Sequence, residues 1–271
     1  MSAWSGKVVA VTGGSEGLGK AIAEGFASRG ASVVILARNK QKNQAAANEL
    51  SSADAEVVAI ECDVTQDESV AGAIDSIVAR FGRIDAWVNN VGKSTRADVT
   101  QADVEDYREL LEINFLSVVR CSRMVFEHLH QSSGYLINIG SLAGRTAWPL
   151  VAPYSTSKHA VAAFTDQFRL ETAGRIHVLH VCTGPVIRPE DPGQQIDRYE
   201  HLSEGLPGEA ARPGAGAPVK GIPAATVATR IIRACEKRQA ELIIPWRARL
   251  LFVASRLSTR LGDWLIRRTI K

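Results

Sequence analysis

Residues 8–19 read VVAVTGGSEGLG, and this stretch decides the fold. Its first four residues form a short apolar run, which is typical of a buried strand. The glycine-rich turn that follows leads into the helical spacing of residues 18–29. Glycine permits a tight turn, and a helix N-terminus offers N–H groups and partial positive charge to a phosphate. The strand–turn–helix context favours a dinucleotide at this turn, and a turn without a ligand is the alternative.

Short apolar runs alternate with longer amphipathic segments along nearly the whole chain. The pattern predicts strands at residues 8–11, 32–37, 56–61, 86–89, 135–139, 176–182 and 241–244. It predicts helices at residues 18–29, 40–50, 69–81, 104–130, 154–173 and 224–238. Such alternation specifies βαβ units, and right-handed crossovers favour a doubly wound, Rossmann-like α/β fold. We expect a mostly parallel, seven-stranded sheet with helices on both faces, in one domain over residues 1–245 with a tail at 246–271.

The composition is that of a soluble globular protein. Of the 271 residues, 45% are hydrophobic and 23% are charged. The four cysteines are widely spaced and lack a C-x-x-C pair, so we expect reduced thiols in the cytoplasm, with no disulfide and no zinc site. The six histidines show no metal-ligand spacing, and no metal is predicted. No run of about 18 apolar residues could span a bilayer, and no signal peptide is expected before the first strand.

One segment, residues 185–223, interrupts the alternation. It contains seven of the ten prolines and no clear period, and it is too long for an ordinary connection. It follows the sixth predicted strand, at the sheet edge where open α/β folds bind their ligands. We predict a substrate loop that acts as a lid; idle disorder is the alternative.

The end of the second predicted strand bears on the choice of cofactor. An acidic side chain here would bind the ribose 2′-hydroxyl of NAD(H), but residues 34–37 are apolar and Arg38 follows them. A guanidinium pairs well with phosphate oxygens, so the 2′-phosphate of NADP(H) fits better and NAD(H) is the less favoured cofactor. Glu16 in the glycine turn argues the other way, because a carboxylate near that phosphate would repel it.

A Tyr-x-x-x-Lys pattern supplies the chemistry. Tyr154 and Lys158 share one face of a predicted helix, so an ammonium lies beside a phenol. A phenol with a pKa near ~10 is a poor acid or base at neutral pH, and a neighbouring positive charge lowers that pKa toward the working range. By itself the pattern is more often an ordinary surface turn of a helix. Ser141, thirteen positions upstream, and the remaining motifs change that interpretation.

Together these features resemble the short-chain dehydrogenase/reductase family of the Tyr-x-x-x-Lys type, over about residues 6–245. The family's T-G-x-x-x-G-x-G element stands at residues 12–19, and its N-N-A-G element stands at 89–92 with valine in place of alanine. The acid after the third strand is matched by Asp63, and the asparagine of the following long helix by Asn114. The resemblance implies a nicotinamide cofactor bound by Thr12, Gly13, Ser15, Gly17, Leu18, Gly19, Arg38, Asp63, Val64, Asn90, Gly92, Tyr154, Lys158, Gly184 and Val186.

The resemblance also implies a role for each catalytic residue. Tyr154 would exchange a proton with the substrate oxygen while a hydride passes between the nicotinamide and the carbonyl carbon. Lys158 would assist Tyr154 and bind the nicotinamide ribose. Ser141 would hold the substrate oxygen, and Asn114 would position a water that relays protons. The chain departs from the family at Arg188, where threonine is common; this arginine would meet a phosphate, an acidic substrate group or solvent.

The tail, residues 246–271, is basic and amphipathic. Its net charge is +6 against +3 for the whole chain, so the rest is mildly acidic, which argues against nucleic acid as the main partner. Apolar residues recur at helical spacing at 250, 253, 257, 261 and 264. This stripe favours packing on the protein's own body or on a second subunit. The alternative is a peripheral helix on anionic lipid, which would favour a lipid-like substrate.

The leading interpretation is an NADP(H)-dependent oxidoreductase that interconverts a ketone and a secondary alcohol on a small hydrophobic substrate. Alternatives are an NAD(H)-dependent dehydrogenase of the same family, an enzyme that uses bound NAD(P) for epimerisation or dehydration, and a non-catalytic NADP-binding scaffold or sensor. The complete catalytic set argues against the sensor, and the short chain beyond the last strand argues against the epimerases. Relatives are commonly dimers or tetramers, so a homo-oligomer is expected. Substrate identity and reaction direction stay open.

Overall fold

The computed structural model describes residues 2–52, 55–188, 202–203, 205–217 and 219–270. The main sheet contains β1 (Val8–Thr12), β2 (Ser32–Ala37), β3 (Val57–Glu61), β4 (Ala86–Asn89), β5 (Tyr135–Ile139), β6 (His177–Thr183) and β9 (Glu241–Ile244). These seven strands lie in the order β3-β2-β1-β4-β5-β6-β9, and each pairing is parallel. The predicted seven-stranded, doubly wound α/β sheet is therefore confirmed.

Helices connect the strands and cover both faces of the sheet. They are α1 (Gly17–Ala27), α2 (Lys40–Leu50), α3 (Asp67–Phe81), α4 (Val104–Leu111), α5 (Ser117–Gln131), α6 (Ala152–Glu171), α7 (Ala224–Glu236), α8 (Ala248–Leu257) and α9 (Thr259–Ile270). The strand order reverses between β1 and β4. Open sheets of this kind bind ligands in the crevice at such a reversal, outside the carboxyl ends of the strands.

Alternate residues of the central strand β1 face opposite sides of the sheet. Val9 packs in the same cluster as Phe26 of α1, and Ala10 packs in the opposite cluster with Ile77 of α3. All five residues of β1 are buried, because a strand covered by helices on both faces carries apolar side chains on both. β1 ends at the buried Thr12, so the glycine turn starts from a fixed point in the core.

The helix predicted over residues 104–130 is interrupted. α4 ends at Leu111, one π-helical turn covers Glu112–Leu116, and α5 begins at Ser117. This turn contains Asn114, whose side chain is fully buried. Single π-helical turns inside a helix frequently mark functional sites. Hydrophobic periodicity does not reveal such a turn, because it shifts the helical phase by only one residue.

The predicted substrate loop contains regular structure that the sequence did not indicate. A short parallel pair joins β7 (Val186–Ile187) to β8 (Ile222–Pro223), and 3-10 turns cover Gly208–Ala211 and Pro213–Gly216. Residues 189–201, 204 and 218 of the predicted lid lie outside the described residues.

The predicted tail helix forms as two helices, α8 and α9, because the backbone at Ser258 is extended between them. Glycine at 262 lets them pack closely, since a Cβ there would lie 2.6 Å from Ser255 Oγ. The five residues of the predicted apolar stripe are 43% to 80% exposed, so the stripe does not pack on the protein's own body, and that alternative is wrong. Phe252 is the buried residue of α8. No described helix is long and apolar enough to cross a bilayer.

Candidate active site

A cleft of about 1530 Å³ opens along the carboxyl edge of the sheet. It is larger than the ~300–1000 Å³ of a typical single-ligand pocket, and it has room for a dinucleotide beside a substrate. Every strand of the main sheet contributes residues from its carboxyl end or from the turn that follows. These are Gly13, Arg38, Asp63, Asn90, Ser141, Gly184 and Pro245.

The glycine turn is braced from β4. The Asn90 side-chain amide donates to Thr12 O at 2.9 Å and to Gly13 O at 3.2 Å, and Thr12 Oγ1 accepts from Asn90 N at 2.9 Å. A Cβ on Gly19 would lie 2.1 Å from Gly13 O, so only glycine allows the helix to approach the turn this closely. The turn is thus held open beside the N-terminus of α1, and its shape fits a pyrophosphate.

Most of the predicted cofactor residues line this cleft. Those on its wall are Gly13, Ser15, Leu18, Gly19, Arg38, Asp63, Val64, Asn90, Gly92, Tyr154, Lys158, Gly184 and Val186. Two do not line it. Thr12 is buried beneath the turn, and Gly17 lies under Arg188, where a Cβ would come within 3.2 Å of the arginine Nε.

Asp63 is held as an anion at the end of β3. Partial burial favours the neutral acid, but Thr65 donates to Asp63 Oδ1 from its backbone N at 3.0 Å and from its hydroxyl at 2.8 Å. Together with the charges of Arg38 and Arg120, these bonds keep the pKa of Asp63 below its ordinary value. Asp63, the acid that the resemblance places after the third strand, is therefore positioned by its own turn.

Four charged side chains gather near the end of β2 and the glycine turn. Glu16 lies between two cations, with Lys42 Nζ 3.8 Å from Oε2 and Arg188 Nη1 3.5 Å from Oε1. Arg38 and Lys42 both line the cleft. Lys42 was missed in the sequence, because it lies in the first turn of α2 and belongs to no motif.

Lys158 is buried in the wall beneath the cleft. Its Nζ donates to Ile139 O at 2.9 Å. Burial disfavours the ammonium and lowers the pKa of Lys158 to about 8. The ammonium therefore remains the main form of the side chain at pH 7. It lies on the same helix as Tyr154, and both side chains line the cleft.

Asn114 lies one layer below the cleft wall. Its Oδ1 accepts from Lys93 N at 2.7 Å, and its Nδ2 donates to Ser157 Oγ at 2.9 Å. A Cβ on Gly92 would lie 3.2 Å from Asn114 Oδ1 and 3.4 Å from Lys158 Nζ. The polar ends of the asparagine and the lysine therefore both lie close to Gly92, and a side chain at that position would press against them.

Ser141 begins the 3-10 turn after β5. Its Oγ accepts from Ala143 N at 3.2 Å, and the residue lines the same cleft as Tyr154. The preceding residue has to be glycine, because a Cβ on Gly140 would lie 2.3 Å from His180 Nε2. A buried histidine of the neighbouring strand therefore leaves no room for a side chain immediately before Ser141.

A polar network lies behind this serine. The Arg145 guanidinium donates to Asp166 Oδ2 at 2.7 Å, lies 2.8 Å from Glu241 Oε1 and lies 3.1 Å from His180 Nδ1. Burial, followed by the charge of Arg145, lowers the pKa of His180 to about 3, so this histidine is neutral at physiological pH. Among the described residues, His180, Cys182 and Glu241 have the chemistry of metal ligands, but the guanidinium already engages the histidine and the carboxylate.

The end of the cleft away from the glycine turn has an apolar wall, and Arg96, Lys220 and Arg247 also line the cleft. Trp148 Nε1 donates to Ala215 O at 3.2 Å, which holds the indole against the substrate loop. Arg96 is buried and donates from Nε to Ala210 O at 2.7 Å. The apolar lining comprises Leu142, Trp148, Val151, Val219, Ile222, Leu251 and Phe252. Several of these were missed, because they come from segments without a motif.

This arrangement defines a dinucleotide-binding α/β protein whose cleft contains a serine, a tyrosine and a lysine. The family profile described as short chain dehydrogenase matches residues 7–190, and the chain belongs to that family.

The relatives agree with this assignment. Rabbit (Oryctolagus cuniculus) L-fucose dehydrogenase is 38% identical over 169 residues, which are 62% of this chain and 58% of that enzyme, so the chain spans less than two thirds of its length. Aedes aegypti farnesol dehydrogenase is 34% identical over 221 residues, which are 76% of this chain and 90% of that enzyme. A short chain dehydrogenase/reductase from Burkholderia phymatum, solved in complex with NAD, is similar in fold with a TM-score of 0.79 at 23% identity, over 95% of this chain and 96% of that one.

Proposed function

We propose that this protein is an NADP(H)-dependent oxidoreductase that interconverts a ketone and a secondary alcohol on a hydrophobic substrate. The observation that carries the proposal is that Ser141, Tyr154 and Lys158 line one cleft together with the glycine turn. When bound in that cleft, the nicotinamide would supply or accept the hydride. The protein's own residues bind the substrate and move the proton.

Tyr154 is the proposed acid and base. Its phenol donates a proton to the substrate oxygen during reduction and takes it back during oxidation. The protonated Lys158 favours the negative charge that the phenol develops, and burial strengthens that effect because solvent screening is weak. The Ser141 hydroxyl orients the substrate oxygen as a hydrogen-bond donor. Asn114, whose Oδ1 lies close to Gly92 as Lys158 Nζ does, would hold the water that returns protons to the lysine.

Replacement of Tyr154 by phenylalanine tests this role. The variant should lose about 10²- to 10⁴-fold in kcat, the usual contribution of a general acid, while its Kd for NADPH stays unchanged. Tyr107→Phe is the matched control, because Tyr107 lies on α4 and outside the cleft. Retention of the full rate by Tyr154→Phe would contradict the proposal.

The charges near the end of β2 support NADP(H) over NAD(H). Arg38 and Lys42 line the cleft where a 2′-phosphate would lie, and Glu16, which argued against a phosphate, has Lys42 and Arg188 as partners. Arg38→Gln should weaken NADPH binding by about 10- to 100-fold, the value of a charge-assisted hydrogen bond, and should leave NADH binding nearly unchanged.

Fluorescence titration of both cofactors measures this difference. Lys20→Gln is the control, because Lys20 pairs with Glu49 at 2.7 Å on the outer side of α1 and does not line the cleft. Equal weakening of NADPH and NADH by Arg38→Gln would favour the NAD(H)-dependent alternative.

The apolar wall of the substrate end supports a hydrophobic substrate. Among the relatives, the farnesol enzyme is named for an apolar alcohol and the L-fucose enzyme for a polar sugar. The cleft wall includes the apolar side chains of Trp148, Leu251 and Phe252, which suit an apolar alcohol better than a sugar. A panel of hydrophobic ketones, secondary alcohols, farnesol and L-fucose, assayed by NADPH formation or oxidation, should give higher kcat/KM for the apolar compounds.

We propose a cytoplasmic homo-oligomer, either a dimer or a tetramer. All four cysteines are buried free thiols, which supports a reducing compartment. Leu116 of the π-helical turn and Leu170 of α6 are exposed at 41% and 64%, which supports a contact between subunits. Light scattering after size-exclusion chromatography measures the assembly.

A further inference from the structure

Helix α8 has two different faces. Ala248, Leu251 and Phe252 point toward the cleft and form part of its wall. Leu250 and Leu257 lie on the opposite side of the helix and are 66% and 80% exposed. One element therefore separates the substrate end of the cleft from an exposed apolar surface.

This surface extends beyond α8. We call it the tail patch, and it consists of Trp246, Leu250, Val253, Leu257, Leu261 and Trp264, all of which are exposed. Single exposed apolar side chains are ordinary, but six large ones within one short segment indicate an interaction surface. The two tryptophans suit the boundary between an apolar phase and water, because the indole has an apolar body and a polar N–H group.

The charges around the tail patch indicate which partner covers it. Residues 246–268 contain six arginines and one acid, Asp263. In the part of the chain that the structure describes, none of these arginines forms a salt bridge; the Arg268 guanidinium lies 5.1 Å from the centre of the Trp264 ring. A second copy presenting the same patch would bring two cationic surfaces together and be repelled. An anionic surface would neutralise them.

We infer that the tail patch docks on the surface of an anionic lipid bilayer, and that a hydrophobic substrate passes α8 from that surface into the cleft. The helices would lie on the bilayer, because α8 is ~15 Å long and α9 ~18 Å, against ~30 Å for a hydrocarbon core. The substrate route rests on the proposed function. The docking rests on exposure and charge alone.

Co-sedimentation of the full chain with vesicles tests the docking. The native protein should bind vesicles that contain phosphatidylserine, should bind pure phosphatidylcholine at least tenfold more weakly, and should be released by high salt. Leu257→Glu should lower the partition coefficient by at least about tenfold, the value of one exposed leucine transferred into the bilayer. Val104→Glu is the matched control, because Val104 is exposed at 64% on α4, outside the tail, and does not line the cleft.

Three outcomes would overturn the docking: no sedimentation of the native protein, equal sedimentation of Leu257→Glu and the native protein, or release by Val104→Glu as well. A Leu257→Glu variant that changes the molecular mass in light scattering, with vesicle binding unaltered, would assign the patch to a second copy. Truncation at residue 245 is a poor test, because it also removes Leu251 and Phe252 from the cleft wall.

Kinetics with one soluble and one vesicle-dissolved ketone test the substrate route. Leu257→Glu should raise KM about tenfold for the dissolved ketone alone, with kcat unchanged for both, since Leu257 does not line the cleft. Equal KM values for the variant and the native protein would refute the route. Absence of turnover in the native protein would instead refute the proposed function and leave the sedimentation result standing.

Discussion

Replacement of Lys158 by methionine should abolish turnover and yet stabilise the fold at neutral pH. Burial lowers the pKa of this ammonium from 10.5 to about 8, which corresponds to a cost of ~3 kcal/mol for holding the charge in the folded state. Methionine is unbranched and fills a similar volume without a charge. The substitution also removes the hydrogen bond to Ile139 O, and this loss cancels ~1 kcal/mol of the stabilisation gained by removing the charge. The net gain at pH 7 is therefore ~2 kcal/mol in the free energy of unfolding.

The pH dependence of this gain follows from proton binding. Below pH 8, Lys158 is protonated in both states, and the native fold bears the whole cost. Between about pH 8 and 10.5 the folded protein releases the proton while the unfolded chain keeps it, so the native free energy of unfolding rises with pH. The advantage of Lys158→Met should shrink through this window and be lost above it.

Urea unfolding of both proteins without cofactor, followed by tryptophan fluorescence at several pH values from 7 to above 10, measures the difference directly. Other titrating groups are common to both proteins and cancel in the comparison. Lys20→Met is the control, because it makes the same substitution outside the core, where Lys20 pairs with Glu49 at 2.7 Å. A Lys158→Met protein that is less stable than the native one at pH 7, with a difference independent of pH, would refute the reasoning.

Three further predictions concern the cleft and its support. Glu16→Gln should tighten NADPH binding by about three- to tenfold in a fluorescence titration, because it removes a carboxylate that pairs with Arg188. Weaker NADPH binding by the variant would show instead that the carboxylate contributes to binding. Arg145→Met should lower the free energy of unfolding by ~2 kcal/mol in urea, less than for a fully buried pair because Glu241 is partly exposed; an unchanged midpoint would contradict this. Gly19→Ala should lose at least about tenfold in NADPH affinity, because its Cβ would lie 2.1 Å from Gly13 O. Unaltered NADPH affinity would mean that the glycine turn can shift to accept a side chain.

The sequence by itself determined the strands, their parallel arrangement and the glycine turn. The strands are short continuous apolar runs, the helices have a period of about 3.6 residues, and the alternation of the two specifies a parallel sheet, so a linear chain shows these features directly. Tyr154 and Lys158 were recognisable for the same reason, since four residues make about one helical turn. Arg38 could be placed at the cleft from sequence because a strand end is a fixed place in a parallel sheet.

Only the tertiary structure decided how distant residues meet. Glu16 and Arg188 pair across 172 positions of the chain, α8 turns one face to the cleft and the other outward, and a π-helical turn holds Asn114 below Gly92. The lowered pKa of Lys158 likewise depends on its burial. Desolvation and long-range contacts arise from packing between segments that are remote in sequence, so no local pattern encodes them.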